Sequence, residues 1–499
     1  MQKKRFMVNA VLLTLTGLLT RTIGVIFRIY ISNKIGAEGI GVYQLIMTVY
    51  MFSTTFATSG ITLTVTRLVT DSIALNRSCR VKYITQRFQL VGFIVSTTVA
   101  VCLYIFAEPI GINLLCDGRS VTALKILAPS LPFMAVSACY RGYFYARRAV
   151  MKTASEQLIE QIIEIGVFVC ISSSMISKGI EYSCAALAIG TTLSEIASCL
   201  YSYILYRLDI RRLGCRSTEK HVPSLVSQAL YIALPVTGSS CLRSGLSMLE
   251  NTLIPSGLKK FGADSAAALS DYGMITGMVM PVITFPSVFL FSFAMLMIPE
   301  MSEAKASVHK NGISHMGTKV LQLTFIFAIP VAVILVIYSQ SLGRLIYGSS
   351  EVGFYIGIIA PIVPLTYLDS VVDGMLKGLN EQVHYLTYNI IDSTVRVILT
   401  FILIPKYGIK GVVAVMFVSA VLNSGLSLMR LMKVAGLRID FLNWILKPLV
   451  CMTASALLFN RLEQTVISII SAAAGYYILM RITGAITDTD IKWIKDVVK

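Results

Sequence analysis

The chain has 499 residues, of which 55% are hydrophobic and 14% charged, and its mean hydropathy is +0.74. Soluble domains contain about 45–50% apolar and about 25% charged residues, so this composition excludes a soluble globular protein and indicates an integral membrane protein. The net charge of +17 does not indicate nucleic-acid binding, because the basic residues collect in alternate loops between apolar segments.

Apolar segments of about 18 to 25 residues follow one another almost to the end, and each can cross a hydrocarbon core of roughly 30 Å as a helix. We therefore predict an all-α, polytopic membrane protein with about 14 transmembrane helices. The basic loops at 77–87 and 207–220 mark the cytoplasmic side, so both termini are predicted to be cytoplasmic. The predicted spans start near Phe6, Gly41, Phe88, Val121, Leu158, Tyr182, Leu225, Asp271, Lys319, Gly353, Gln382, Gly408, Trp444 and Thr465.

The first span carries the most informative charges of the sequence. Gly17, Arg21, Gly24 and Arg28 recur at steps of four, three and four residues, which places them on one helical face. An arginine near the bilayer centre costs about 2.5–3.5 kcal/mol, so this face predicts a wet cavity lined by protein. Alternatively, Arg28 snorkels to the outer headgroups and Arg21 pairs with a carboxylate.

Two stretches of the sequence share one plan and predict two related halves. Residues 139–165 and 370–397 are offset by about 232 residues. In each, an apolar helix reaches a glycine beside a charge, Arg141-Gly142 and Asp373-Gly374, before a polar turn and a new helix. We predict a six-helix lobe over 1–215, a second over 223–440, and two additional helices with a cytoplasmic tail over 441–499. An even number of spans per lobe makes the repeats parallel.

The tract RGYFYARR, which starts at Arg141, predicts an interfacial belt of tyrosine and arginine. The next helix carries Glu156, Glu160 and Glu164 on one face. These carboxylates have two interpretations: they relay protons or bind a coupling ion, or they neutralise Arg141 and its neighbours. Ion pairing is the favoured interpretation.

The lead helix of the second half again presents an arginine and small residues on one face, at Ser240, Arg243, Ser247 and Glu250. If the two lead helices face one another across a pseudo-two-fold axis, their charges surround a common cavity. The predicted substrate site is therefore formed by Arg21, Arg28, Arg243 and Glu250.

Later charges fall at four-residue steps within helices. Asp373 follows Asp369 in this way, and Asp392 precedes Arg396. An acid four residues before a base is the favourable order for an ion pair within one helix, so a structural role is favoured over ion coupling.

Motifs for catalysis are absent from the sequence. There is no phosphate-binding loop, no HExxH and no kinase or dinucleotide fingerprint. The ten cysteines stand singly and the four histidines are dispersed. We predict no enzymatic activity, no catalytic residue, no metal and no cofactor, with neither ATP nor nucleic acid as a partner.

Three segments point to a known family: LLTRTIG with IGAEGIGVYQ, RGYF followed by ASEQLIEQ, and PKYGIKGVV at 405–413. With these segments the whole chain resembles the stage V sporulation protein B group of polysaccharide and lipid II flippases, in the multidrug/oligosaccharidyl-lipid/polysaccharide exporter superfamily. The resemblance implies two six-helix lobes around a central cavity plus two extra helices, and alternating access that moves an undecaprenyl-linked sugar outward.

The resemblance also implies site residues. In the lipid II flippases arginines of the first helix bind the diphosphate, which assigns this role to Arg21 and Arg28. Those flippases carry further arginines on the second and eighth helices, where this chain has FSTTF at 52–56 and YGMIT at 272–276.

The expected function is a flippase of the cell membrane for a lipid II-like precursor of spore cortex peptidoglycan or another envelope glycan. A cationic cavity suits a diphosphate. The alternatives are a multidrug or small-cation exporter, which would favour an acidic cavity, and a non-transport scaffold for envelope synthesis. The expected partners are a lipid-linked oligosaccharide diphosphate, membrane lipids and a coupling ion, H+, Na+ or Cl−.

Overall fold

The computed structural model describes residues 2–75, 78–212, 225–290, 301, 310–437, 440–460 and 464–485. The described residues form helices and no strands, which confirms the predicted all-α class. They group into two compact units, Met1–Gly273 and Met274–Lys499. The predicted lobe limits at 215 and 223, and the predicted tail beyond 485, lie outside the described residues, so the six-helix lobes stay a prediction.

The first unit begins with a helix that is bent at one glycine. In α1 the backbone of Gly36 adopts φ 74° and ψ 174°, a conformation that favours glycine and divides the helix into the two spans predicted from Phe6 and Gly41. A three-residue α-helical segment, Ala107–Pro109, and a π-helical segment, Ile110–Leu114, precede α4. The helices of this unit are α1 (Gln2–Thr58), α2 (Ile61–Ala74), α3 (Ser78–Ile105), α4 (Ser120–Leu127), α5 (Ser130–Ala146), α6 (Val150–Met175), α7 (Ile180–Arg212), α8 (Leu225–Phe261) and α9 (Ser265–Gly273).

The second unit opens with a π-helical segment, Met274–Val279, and a second one, Leu442–Leu446, precedes α17. Its last two helices pack on each other and on α11. Tyr476 of α18 donates to the Ile326 carbonyl at 2.8 Å, and this bond anchors the pair. The helices are α10 (Met280–Thr284), α11 (Lys310–Ile337), α12 (Ser339–Tyr347), α13 (Ser350–Ile359), α14 (Val363–Gly378), α15 (Gln382–Tyr407), α16 (Ile409–Ala435), α17 (Lys447–Phe459) and α18 (Thr465–Ile482).

Among the described residues, 11 helices are long and apolar enough to cross a membrane, or 12 if the bent pair α4 and α5 is one span. The predicted count of 14 is not confirmed. The difference arises at two places: 16–74 counts as one 59-residue candidate despite the bend at Gly36, and α8, which contains two prolines, is not among the candidates. Each predicted start nevertheless lies in a helical segment or, for Gly408, one residue before it.

The sequence repeat appears in the structure as a repeated turn. Arg148 and Asn380, about 232 residues apart, both have positive φ, at 54° and 59°. Three backbone hydrogen bonds of 2.9 to 3.2 Å close each turn. In the first turn, the N–H groups of Arg147, Arg148 and Ala149 donate to the carbonyls of Tyr143, Tyr145 and Phe144, respectively. In the second turn, the N–H groups of Leu379, Asn380 and Glu381 donate to the carbonyls of Met375, Lys377 and Leu376, respectively.

The first aromatic residues of the predicted interfacial belt around Arg141 are buried between helices. Tyr143 and Phe144 are fully buried in a core formed by α2, α3, α5 and α7. The Tyr143 ring meets that of Tyr206 edge-on at 5.0 Å, and its hydroxyl donates to Asp209 at 2.7 Å. A buried tyrosine is stable when its hydroxyl has such a partner, so these rings hold helices together.

Gly142 allows α5 to pack closely on α2. A Cβ atom at this position would lie 2.8 Å from the carbonyl oxygen of Thr62 and 3.0 Å from Cβ of Val65. We expect Gly142→Ala to lower the free energy of unfolding by about 1–3 kcal/mol, because the helices must separate to admit the methyl group. The thermal midpoint of the purified protein in detergent measures this loss.

The control is Gly166→Ala in α6, where an added Cβ meets no atom within 4 Å. This variant should be at least as stable as the wild type, since alanine favours the helix. An equal loss of stability in both variants would contradict the packing role of Gly142.

Candidate functional site

A cavity of about 510 Å³ lies within the first unit, bounded by α1, α5, α6, α7 and α8. Its lining combines one arginine, several carboxylates and a group of methionines. The lining residues are Gly24, Phe27, Arg28, Ile31, Tyr43, Gln44, Met47, Thr48, Tyr50, Met51, Met134, Glu160, Gln161, Glu164, Thr191, Glu195, Ser244, Ser247, Met248 and Asn251.

The sequence predicted one α1 face formed by Gly17, Arg21, Gly24 and Arg28. Of these four residues, Gly24 and Arg28 line the cavity. A Cβ atom on Gly24 would lie 3.0 Å from the side-chain nitrogen of Gln161, so glycine leaves room for this amide on α6. Arg28 is exposed. Arg21, two turns earlier, is also exposed and does not line this cavity.

An apolar contact fixes Arg28 at the cavity. The neighbouring Phe27 is buried, and its ring meets Phe168 of α6 edge-on at 5.6 Å. Ile31, one turn later, packs in the same cluster with Leu187 of α7. Burying these side chains holds α1 against α6 and α7, so the Arg28 backbone is anchored while its charged end remains exposed.

Three carboxylates face the cavity. Thr191 donates to Oε1 of Glu164 at 3.0 Å, and Ser198 lies 3.5 Å from Oε2 of Glu160. Glu195 is 4% exposed, and its Oε2 accepts no hydrogen bond from the described residues. The cavity is therefore of mixed charge and not simply cationic.

The expected ion pair of Arg141 is present, and its partner is Glu156. Nη1 of Arg141 lies 3.6 Å from Oε1 of Glu156, which is fully buried and also accepts from Ser198 at 3.3 Å. In the sequence, the four-residue spacing of Glu156, Glu160 and Glu164 had indicated an ion pair with Arg141. Glu160 and Glu164, the later members of that series, line the cavity instead.

Part of the α8 face predicted by spacing reaches the cavity: Ser247 lines it, but the two charged residues do not. Arg243 is exposed and Glu250 is buried, and neither lines the cavity. Their neighbours Ser244 and Asn251 do. The structure thus brings Arg28 together with Glu160 and Glu164, and leaves the binding roles of Arg21, Arg243 and Glu250 as predictions.

The remaining predicted charges belong to the second unit. Nε of Arg396 lies 3.2 Å from Oδ2 of Asp392, and Ser419 donates to the other carboxylate oxygen at 2.7 Å. The ion pair predicted from the four-residue step is therefore present. Asp373 is partly buried on α14, and Nζ of Lys377 lies over the ring of Tyr385, 4.3 Å from its centroid.

We expect Arg141→Met to lower the free energy of unfolding by about 3–5 kcal/mol, because the fully buried carboxylate of Glu156 loses its cation. The double change Arg141→Met with Glu156→Gln should restore part of this loss, since no buried charge then remains unpaired. Thermal unfolding in detergent measures both.

Arg67→Met, the same change at an exposed arginine of α2, serves as the control and should have little effect. A double variant no more stable than Arg141→Met alone would mean that the ion pair is not the source of the loss.

Comparisons with known proteins agree with this architecture. The sequence pattern of a family described as "Polysaccharide biosynthesis protein" matches residues 6–305. Stage V sporulation protein B of Bacillus subtilis (strain 168) is 26% identical over 417 residues, which cover 82% of this chain and 80% of the relative.

Two solved structures share the fold. The lipid II flippase MurJ in an inward closed conformation has a TM-score of 0.69 at 17% identity, covering 95% of this chain and 98% of its own. An inward-facing multidrug resistance MATE family transporter of the MOP superfamily has a TM-score of 0.64 at 13% identity, covering 86% and 99%. Together with the family match and the sporulation relative, the shared fold confirms the family resemblance.

Proposed function

We propose that this chain, which belongs to the polysaccharide biosynthesis protein family, is a flippase that moves an undecaprenyl-diphosphate-linked sugar across the cell membrane by alternating access. The observation that carries the proposal is the exposed guanidinium group of Arg28 at a cavity inside a bundle of apolar helices. An arginine in such surroundings is costly unless a cavity and a ligand use it. Its planar fork of N–H donors matches the oxygens of a diphosphate.

The relatives support the nature of the substrate. One is named for sporulation and another for flipping lipid II. We therefore assign a lipid II-like precursor of spore cortex peptidoglycan, or of another envelope glycan, as the cargo. We place both termini in the cytoplasm, as the basic loops predict, and the precursor enters from the inner leaflet.

Within this proposal Arg28 holds the diphosphate. Arg21 lies about 10 Å along α1 from Arg28, at about 1.5 Å per residue, and contacts the substrate at another stage of the cycle. Arg243 and Glu250 of α8, the lead helix of the second half, also contact the substrate. A coupling ion, H+, Na+ or Cl−, completes the set of partners.

A second candidate function is export of cationic drugs. The observation that favours it is the group of carboxylates at the cavity, Glu160, Glu164 and Glu195, beside methionines that suit an apolar cation. Under this alternative a cationic dye binds the wild type, binding survives Arg28→Ala, and Glu164→Gln abolishes it. The flippase requires the opposite dependence on Arg28.

We expect Arg28→Ala to weaken binding of undecaprenyl diphosphate by roughly 10- to 150-fold, since a charge-assisted hydrogen bond contributes about 1.5–3 kcal/mol. Arg28→Lys should restore only part of the affinity, because an ammonium keeps the charge but loses the planar donor pair. The affinities are measured by titrating the purified protein in detergent with the lipid and monitoring the complex by native mass spectrometry.

Lys34→Ala is the matched control: it removes a cation from an exposed position on the same helix that does not line the cavity. Its affinity should equal that of the wild type. Wild-type affinity in a folded Arg28→Ala protein would remove Arg28 from the binding site.

A further inference from the structure

The carboxylates around the cavity outnumber the cations. The carboxylates come from α6 and α7, and the cations from α1 and α5. Two tyrosines of α1 also line the cavity, whereas the lining residues of α8 are uncharged. The titratable and charged groups are Glu156, Glu160, Glu164, Glu195, Arg28, Arg141, Tyr43 and Tyr50.

The carboxylates are compensated to different degrees. Glu156 pairs with Arg141 through Oε1, although its Oε2 accepts no hydrogen bond from the described residues. Glu164 accepts from Thr191 and shares the cavity with Arg28. Glu195 lies at the cavity wall, 4% exposed, with one oxygen that no described residue donates to. A buried carboxylate charge without a partner is costly, so Glu195 is the group that most favours a neutral state.

Neutrality at Glu195 requires either a proton or a metal cation. Hard cations bind several oxygen ligands at once, often six or more. Among the described residues, no group of three or more His, Cys, Asp or Glu side chains is arranged to hold a metal ion. A proton needs only one carboxylate oxygen, so the geometry favours the proton.

We propose that Glu195 is a proton-binding site, protonated in this conformation, and that proton binding at Glu195 and diphosphate binding at Arg28 strengthen each other. The carboxylate takes the proton from water and becomes a neutral carboxyl group, which removes one negative charge from the space that the diphosphate enters. Coupling of two binding events is reciprocal, so each ligand raises the affinity for the other. The second half of the proposal rests on the proposed function, whereas the proton site does not.

This coupling gives the transport cycle a step that releases the substrate. When the cavity opens on the side where the substrate leaves, hydration stabilises the ionised carboxylate and Glu195 loses its proton. The negative charge then repels the diphosphate beside Arg28. Substrate release and proton release therefore occur together.

The first test needs no substrate. Infrared difference spectra of the wild type against Glu195→Gln should show the carbonyl band of a protonated carboxyl group at neutral pH. Glu195→Asp keeps the acid and should shift the band, which identifies it even if the glutamine variant folds poorly. No band, or a band lost in Glu160→Gln but kept in Glu195→Gln, overturns the assignment.

The second test measures affinity for undecaprenyl diphosphate as a function of pH. The wild type should bind less tightly as pH rises above the range in which Glu195 is protonated, by up to about tenfold per pH unit for one linked proton. Glu195→Gln, a mimic of the neutral acid, should bind tightly at every pH. Glu181→Gln, on the same helix but away from the cavity, should keep the wild-type dependence. Inorganic diphosphate in place of the lipid tests whether the headgroup alone suffices.

The outcomes separate the two proposals. An infrared band at Glu195 without any diphosphate binding means that the proton site stands and the proposed substrate fails. Tight binding with the same pH dependence in the wild type and Glu195→Gln means that the substrate stands and the coupling fails.

Discussion

A charged side chain among apolar helices is stable only where a partner or water compensates it, and the charges of this chain follow that constraint. Arg141 meets Glu156, Arg396 meets Asp392, and Asp209 accepts from Tyr143. At the cavity, Arg28 is exposed, and one oxygen of the buried Glu195 accepts no hydrogen bond from the described residues. Compensated charges hold the helices together, whereas the cavity keeps charge available for a ligand.

The mixed charge of the cavity bears on how a transporter of an anion can work. A purely cationic cavity would hold a diphosphate tightly and release it slowly. Carboxylates at the same cavity oppose the substrate unless they are neutral. In the proposed flippase, arginine and carboxylates in one cavity provide for both binding and release, and the charge state of the carboxylates sets the balance.

The helices were predictable because apolar length and loop charge follow from the bilayer itself, and the repeated turn was predictable because Gly142 and Gly374 mark it. The rotation of each helix about its own axis was not predictable from the sequence. Spacing placed Arg243, Ser247 and Glu250 on one face of α8, but of these packing brings Ser247 to the cavity, together with Ser244 and Asn251. The burial of Tyr143 was not predictable either, because it depends on Tyr206 and Asp209, which are distant in sequence. Which member of the Glu156 series pairs with Arg141 likewise depends on how α5 and α6 pack.

The proposed flippase moves a diphosphate-linked lipid from one leaflet to the other. The most direct measurement uses proteoliposomes that contain a polyprenyl-diphosphate-linked sugar and a membrane-impermeant enzyme that modifies the sugar from outside. With the wild type, lipid of the inner leaflet should become accessible to the enzyme, and with Arg28→Ala this should be much slower. If the inner pool stays inaccessible in vesicles whose protein is folded and binds the lipid, the chain is not a flippase for this substrate.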